Sequence, residues 1–505
     1  MPNHSRDPAN ILVFLCDQLR IDLLGCYGGT QVRTPNIDAL AAQSMVFDRA
    51  YTPCALCSPA RASLMTGVYP HRHHMFNNST PGYSYCEHLR SDLQTLPGWA
   101  DAHSRHETAY FGKWHIGPAQ DLFDSPFHHT HPKPGEADLP FLASSHWHPN
   151  TSVGKMVQSY GDGAAGTIDV PIDRFPDGAA AGFTKRFLRQ RQPDSPPFLA
   201  FCAFPGPHSP WLVPEEFGVR YDPAAIPMWP NRYDTFAGKP LNQKKLRALQ
   251  MQQGHQSFIK GGDDALRGRL ACCFSYLELI DMLVGEVLSE LKEAGQYEDT
   301  TVVFTADHGD MAGAHGFTSK GAYMYDEIYR IPMVIKPAGP TVAARRTNAP
   351  VHLMDLTATI MDLVAGEPVQ AMDTHPLHGE SLLPFLSGTP PWERAVHYAE
   401  YHGDWYGHYS SRMVTDGRWK LVWNLSDFCE LYDLENDPHE LTNRFYEPAQ
   451  RPTREHYFSL LMAEAARYED KHVALLDPAV EERSDLRFEA SLAGIPPIAQ
   501  ERRPQ

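Results

Sequence analysis

Four short apolar runs constrain the fold of this chain more than any other feature. Ile11–Cys16, Thr108–Phe111, Phe198–Phe204 and Thr301–Thr305 are built almost wholly of aliphatic, aromatic, small or β-branched residues. None shows the polar alternation of a strand with one wet face. A strand that is apolar on both faces belongs inside a parallel sheet covered by helices on either side. Helical segments lie between the runs. Thr34 caps one that starts at Pro35 and continues through Asp38, Leu40 and Ala41, and a long amphipathic one covers about Asp263–Ala294, closed by Gly295. This alternation predicts an α/β fold with a large, mainly parallel or mixed central sheet sandwiched by helices.

Each run stops at polar, ionisable residues: Asp17-Gln18, Gly112-Lys113-Trp114-His115, Pro205-Gly206-Pro207-His208 and Asp307-His308-Gly309-Asp310. Open α/β sheets place their sites outside the carboxyl ends of the strands. The four clusters, far apart in sequence, are therefore expected on one rim. Asp17, Asp307 and His308 suit a divalent cation, and Gln18 adds a carbonyl oxygen. Each also has a plainer reading. An Asp at a strand end often caps the next helix, adjacent Asp-His is common in loops, and Lys113 and His208 are compatible with a solvated surface.

Cys57-Ser58-Pro59-Ala60-Arg61 adds a nucleophile. Ser58 suits a helix N-cap and Pro59 the first helical position. Residue 57 then sits at the positive end of a helix dipole, with Arg61 one turn on, where an anion is favoured. The pattern C-x-P-x-R followed by a small-residue turn resembles the signature of the type I sulfatases. Gly112–Gly117 is similar to that family's G-K-W-H-x-G motif, and Thr305–Asp310 (T-A-D-H-G-D) sits where its late metal ligands lie. The resemblance is strongest over residues 10–78, 108–117, 198–211 and 301–335, weaker beyond 390, and gives nothing for 118–197.

That resemblance implies an alkaline-phosphatase-like fold, with a catalytic domain over 1–390 and a smaller C-terminal α+β subdomain over 391–505. The residues themselves agree in the latter. Arg412–Thr415 and Arg418–Trp423 flank Asp416-Gly417, a hairpin signal, and a helix is expected around Tyr457–Tyr468. It further implies that Cys57 is oxidised to formylglycine by a maturation enzyme and that one divalent ion is held by Asp17, Gln18, residue 57, Asp307 and His308. The ion would be calcium, with manganese the alternative. Asp-Gln and Asp-His replace the family's frequent Asp-Asp and Asp-Asn, as in choline-sulfatase-like and phosphonate monoester hydrolase-like relatives. Lys113 and Arg61 would hold sulfate oxygens, His115 the second hydroxyl of the aldehyde hydrate, and His208 and Lys320 the leaving oxygen. The implied activity is hydrolysis of a small-molecule or saccharide sulfate ester by an arylsulfatase-like enzyme. The alternative is a phosphonate or phosphate ester hydrolase, which Asn78 also fits. A third reading, an inactive sulfatase-like binding protein, is disfavoured because nucleophile, ligands and both lysines occur together.

Composition bounds the rest. A chain of 505 residues exceeds one ordinary core. Its net charge of −17 argues against nucleic acid, yet an anionic substrate is compatible, because screening over about 8 Å leaves local cations in control of a pocket. No apolar run approaches the roughly 20 residues of a membrane span, and MPNHSRDPAN carries no apolar signal core, so a cytoplasmic protein is expected, with export the alternative if a signal has been removed. Nine scattered cysteines give no disulfide framework; Cys54 and Cys57 form a C-x-x-C without a second pair, and Cys272-Cys273 read as core thiols. His128, His129, His131, His146 and His148 stand among prolines, as a surface or pocket-lining loop or else a separate metal site. Pro205–Pro240 is expected to wall the pocket. Trp147, Trp211 and Trp229 either stack on a sugar or aryl ring or simply pack.

Overall fold

The computed structural model describes residues 9–80, 82–131, 156–159, 165–252, 262–340, 344–388, 394–404 and 407–474. Its main sheet has eight strands: β1 (Asn10–Cys16), β2 (Met45–Phe47), β3 (Glu107–Gly112), β4 (His129–Thr130), β5 (Phe198–Phe204), β6 (Thr300–Ala306), β7 (Met333–Lys336) and β8 (Arg345–Thr347). Their spatial order is β8-β2-β7-β6-β1-β5-β3-β4. The four apolar runs become β6, β1, β5 and β3, side by side and parallel. β7 runs antiparallel to both its neighbours, so the sheet is mixed.

The period of two along β1 divides the core. Leu12, Phe14 and Cys16 pack with α1 (Pro35–Ala41), α3 (Pro176–Gln190) and α4 (Gly262–Glu293) on one face. Ile11, Val13 and Leu15 pack with α2 (Cys57–Thr66) and α5 (Leu353–Ala365) on the other. Each large side chain buried this way contributes roughly 1.5–3 kcal/mol, which is why a run with no polar position is stable only in the middle of the sandwich. Thr34 occupies the N-cap position of α1 but does not cap it. Asp281 of α4 does so instead, accepting from the backbone N–H of Asn36 at 3.0 Å and of Ile37 at 2.8 Å. Its carboxylate thereby also fastens α1 to α4.

A second sheet holds β9 (His397–Asp404), β10 (Gly407–Thr415), β11 (Trp419–Asn424) and β12 (Glu430–Asp433), antiparallel and in chain order. The β10–β11 turn falls at Asp416-Gly417, where Asp416 Oδ1 accepts from the N–H of Arg418 and Trp419. The helix α6 (Arg451–Arg467) covers this sheet through Tyr457, Leu461 and Ala465. Tyr69 and Met354 join the same apolar cluster, so the small sheet and the main fold share packed surface. Among the described residues no helix is long and apolar enough to cross a membrane. All nine cysteines are free thiols.

Candidate active site

Strand register assembles the site. Cys16 of β1 pairs with Ala306 of β6 and, on its other side, with Phe204 of β5; Gly112 of β3 pairs with Ala203 of β5. The residues that follow therefore leave the sheet together. The ladder continues one step past it, through Asp307 N–H to Cys16 O (3.1 Å), Asp17 N–H to Gly206 O (3.0 Å) and Lys113 N–H to Ala203 O (2.9 Å). Gly112 makes the turn possible for Lys113. Its φ is +118°, and a Cβ there would lie 1.9 Å from the Ala203 carbonyl oxygen.

α2 delivers residue 57 to this rim from the opposite face. Cys57 Sγ lies 3.2 Å from His308 Nε2, 3.6 Å from Asp17 Oδ1 and 3.9 Å from Lys113 Nζ. Asp17, Cys57, Asp307 and His308 offer ligand atoms that all lie within 4.8 Å of one another, and all four residues are fully buried. Burial alone would push the Cys57 thiol up; Lys113, Lys320 and His308 outweigh it and hold it well below the ordinary thiol range. Burial, and then Asp17 alongside, raise the Asp307 carboxyl. His308 Nδ1 donates to Gly309 O at 2.8 Å, which turns Nε2 toward the cluster, and Asp307 raises the imidazole against its burial.

Arg61 sits behind these carboxylates. Nε donates to Asp307 Oδ2 at 2.7 Å, Nη2 to Asp17 Oδ2 at 3.3 Å, and Nη1 to Lys113 O at 2.5 Å and Tyr110 OH at 3.3 Å. Lys113 Nζ takes the same Asp17 oxygen at 2.5 Å. On the far side of Cys57, Lys320 Nζ donates to Gln18 Oε1 and lies 2.9 Å from His208 Nε2. His208 is half-buried, at the mouth of the site. His115 is buried and hydrogen-bonds Cys57; burial and then Lys113 push its imidazole down to about 4, so it is neutral at pH 7. Gln18 and His115 have φ values of +62° and +59°, and such strained backbone clusters at functional sites.

A family model described as Sulfatase matches residues 9–366. The chain belongs to the sulfatase family. A second model, N-sulphoglucosamine sulphohydrolase, C-terminal, matches residues 313–466 of this sulfatase. Uncharacterized sulfatase YidJ of Escherichia coli (strain K12) is 31% identical over 440 residues, covering 86% of this chain and 82% of that protein. Choline-sulfatase of Rhizobium meliloti (strain 1021) is 28% identical over 460 residues, again covering 86% and 82%. The phosphonate monoester hydrolase of Agrobacterium radiobacter has a similar fold, with a TM-score of 0.70 at 24% identity over 91% of this chain and 96% of that one. Family membership makes the sulfatase a sulfuric ester hydrolase.

At this site the structure revises one sequence expectation and shows protein partners for other residues that the sequence did not reveal. α2 begins at Cys57 with Leu56 as N-cap, two residues earlier than Ser58 suggests. Ser58 is instead tied to the Asn78-Ser79 turn: its N–H donates to Asn78 Oδ1 at 3.1 Å, and its Oγ accepts from Ser79 N–H at 2.9 Å. Asn78 thus takes a donor that the sequence reading left for an anion. Arg61 was expected on sulfate oxygens; the structure engages its Nε, Nη1 and Nη2 with protein acceptors, because two buried carboxylates converge on it. The Gln18 amide, expected on the metal, is held at both ends, by Lys320 and by Asp310 Oδ2.

The remaining candidates lie elsewhere. His128 pairs with Asp101 and His129 with Glu107, and neither joins a metal-holding group among the described residues. His146, His148 and Trp147 lie outside the described residues. Trp211 and Trp229 are buried, with their indole N–H groups on Pro207 O and Ala312 O, Trp211 opening a short strand (Trp211–Pro214) and Trp229 lying in a loop. Sequence reasoning gave no role to Tyr110, Asp177 or Asp310. Asp310 carried a signal, since it shares the T-A-D-H-G-D run. Asp177 carried none: it reaches the site only by accepting from Gly206 N–H at 2.9 Å and Tyr276 OH at 2.7 Å.

Proposed function

We propose that this sulfatase hydrolyses sulfate monoesters through a formylglycine made from Cys57 by a maturation enzyme. The observation that carries the reading is the position of Cys57 Sγ, buried at a helix start and within 4 Å of a carboxylate, an imidazole and an ammonium group. The donor set fits a divalent ion. Two buried carboxylates stand side by side, Asp307 being pushed up by burial and then by Asp17, and His308 Nε2 is turned toward them. Oxygen donors with one imidazole suit calcium or manganese. Asp17, Asp307, His308 and residue 57 would hold the ion, and the Gln18 carbonyl has a second lone pair to offer. When bound, such an ion supplies Lewis acidity that acidifies a hydroxyl and draws charge from the sulfuryl oxygens.

The chain's own residues do the rest. Lys113, anchored on Asp17, reaches sulfate oxygens, and Arg61 holds both carboxylates in place. The hydrate of formylglycine brings two hydroxyls to one carbon: one attacks sulfur, and the other gives its proton to the neutral imidazole of His115 as sulfate departs. A thiol or serine oxygen has no second hydroxyl and would stall as a sulfated residue. Lys320 stays an ammonium group, because nearby Cys57, Asp17 and Asp307 outweigh its burial. With His208 it meets the leaving oxygen and stabilises its charge.

Choline-sulfatase among the relatives supports a small sulfate ester; a sulfated saccharide is the other member of the same class. One feature favours a second reading. Gln18 carries no charge, so the ligand set has one anion fewer than an Asp-Asp pair provides, a set compatible with phosphonate or phosphate esters. Turnover of 4-nitrophenyl sulfate against 4-nitrophenyl phenylphosphonate decides between them. Higher kcat/KM on the sulfate is expected; higher kcat/KM on the phosphonate would overturn the sulfatase reading in favour of the second.

A further inference from the structure

We infer that Asp310 is a positioning residue: it sets the orientation of the Gln18 amide and so seats Lys320 against His208, which rests on the sulfatase reading for the role of Lys320. The two ends of a glutamine amide are nearly the same shape, so neighbours decide which way it points. Here they do so with charge. Gln18 Nε2 donates to Asp310 Oδ2, and Gln18 Oε1 accepts from Lys320 Nζ. A flipped amide would set NH₂ against the ammonium group and C=O against the carboxylate, two mismatches in a site closed to water. Gln18 and Asp310 are at most 3% exposed and Lys320 is 9% exposed.

The same carboxylate governs the other side of Lys320. Asp310 Oδ1 accepts from the N–H of Ala312 at 2.7 Å and of Ser319 at 3.0 Å. Ser319 precedes Lys320 and has a φ of +60°, so its backbone needs that support. Asp310 therefore ties the end of β1 to the loop that carries Lys320. Beyond Gln18, Lys320 Nζ meets Cys57 and, toward the mouth of the site, His208 Nε2 at 2.9 Å. His208 Nδ1 lies 2.5 Å from Ser209 O, so its proton is committed there and Nε2 is the acceptor. The order Asp310, Gln18, Lys320, His208 runs from the core to the mouth of the site and holds the Lys320 ammonium group between Cys57 and His208, where the leaving oxygen would emerge.

Asp310→Asn keeps the shape and a carbonyl for the loop but turns one acceptor into a donor facing Gln18. The amide should flip and push Lys320 away. Gln18→Glu sets two carboxylates against each other. In Gln18→Glu/Asp310→Asn, a carboxylate at position 18 accepts from both Asn and Lys320, and total charge is restored. Two readouts test this in the full-length protein. For Asp310→Asn, kcat on phenyl sulfate, a poor leaving group, should fall about 100-fold or more, and on 4-nitrophenyl sulfate less than about 10-fold, in line with loss of leaving-group assistance. The thermal midpoint should fall in each single variant, and the double variant should recover more than about half of the summed loss. Equal losses on the two esters, or additive midpoint losses, would overturn the proposal. If the unaltered protein hydrolyses neither ester, the sulfatase reading fails, and the midpoint cycle still decides whether Asp310 orients Gln18.

Discussion

His73 is buried as a neutral imidazole, and acid should therefore destabilise the protein by a calculable amount. Its Nδ1 accepts the backbone N–H of Met75 at 3.1 Å, and its Nε2 lies 3.0 Å from Ser63 Oγ in α2. A proton on Nδ1 would face another N–H with no water to relieve it. Burial, with His71 and His74 adding to it, pushes the group down to about 3. In the unfolded chain the value is about 6.5. Between these values the unfolded state binds a proton that the native state refuses. The contribution is thus complete above about pH 6.5 and is lost progressively as pH falls toward 3. At pH 5 the loss is about 2 kcal/mol. For a chain of this size that is roughly 2 °C in thermal midpoint. His378 acts in the same direction, with Nδ1 accepting Tyr69 N–H at 3.2 Å, as does His352, whose ring caps α5. His71, raised by Glu400 against its burial, acts in the opposite direction. His73→Asn keeps an acceptor for Met75 and removes the titration. Calorimetric midpoints of both proteins between pH 7.5 and 5 should converge, the variant losing about 2 °C less. Parallel curves would refute the reasoning.

Three further outcomes are expected. Arg61→Ala strands two buried carboxylates and should cost roughly 3–5 kcal/mol, with Arg61→Lys recovering little because it lacks the planar fork; an unchanged midpoint in calorimetry would contradict this. Asp307→Ala should abolish both metal retention, read by elemental analysis, and turnover; full occupancy with normal turnover would sink the ligand assignment. Gly206→Ala places a Cβ 2.5 Å from the Tyr276 ring and should displace Pro207-His208, costing about 1–3 kcal/mol and lowering kcat; a variant with unaltered kcat would show that this loop position is not needed.

The central strands were legible because burial on both faces leaves a mark in composition: each of the four apolar runs is a parallel strand, and β5 spans Phe198–Phe204 as read. Their convergence was legible too, since a parallel register obliges residues after β1 and β6 to leave the sheet side by side. What sequence could not show is which partner each side chain takes once there. Arg61 reads as an anion binder from its place one turn into a helix, but the carboxylates it meets come from 44 and 246 residues away. Gln18 reads as a ligand, but nothing local announces that Asp310 and Lys320 take either end of its amide. The cap of α1 failed for the same reason: Asp281, 245 residues from Asn36, outcompetes the adjacent Thr34. Local signals name residue types, whereas long-range pairing assigns their roles.

The account turns on Cys57 being a precursor of the nucleophile. The direct measurement is peptide mass across residue 57, paired with turnover of 4-nitrophenyl sulfate, on preparations made with and without a formylglycine-generating enzyme. Turnover should scale with the fraction of chains in which the cysteine has become the aldehyde, and Cys57→Ser should be sulfated once and then stall. Full turnover from protein whose Cys57 is entirely unmodified thiol would contradict the mechanism.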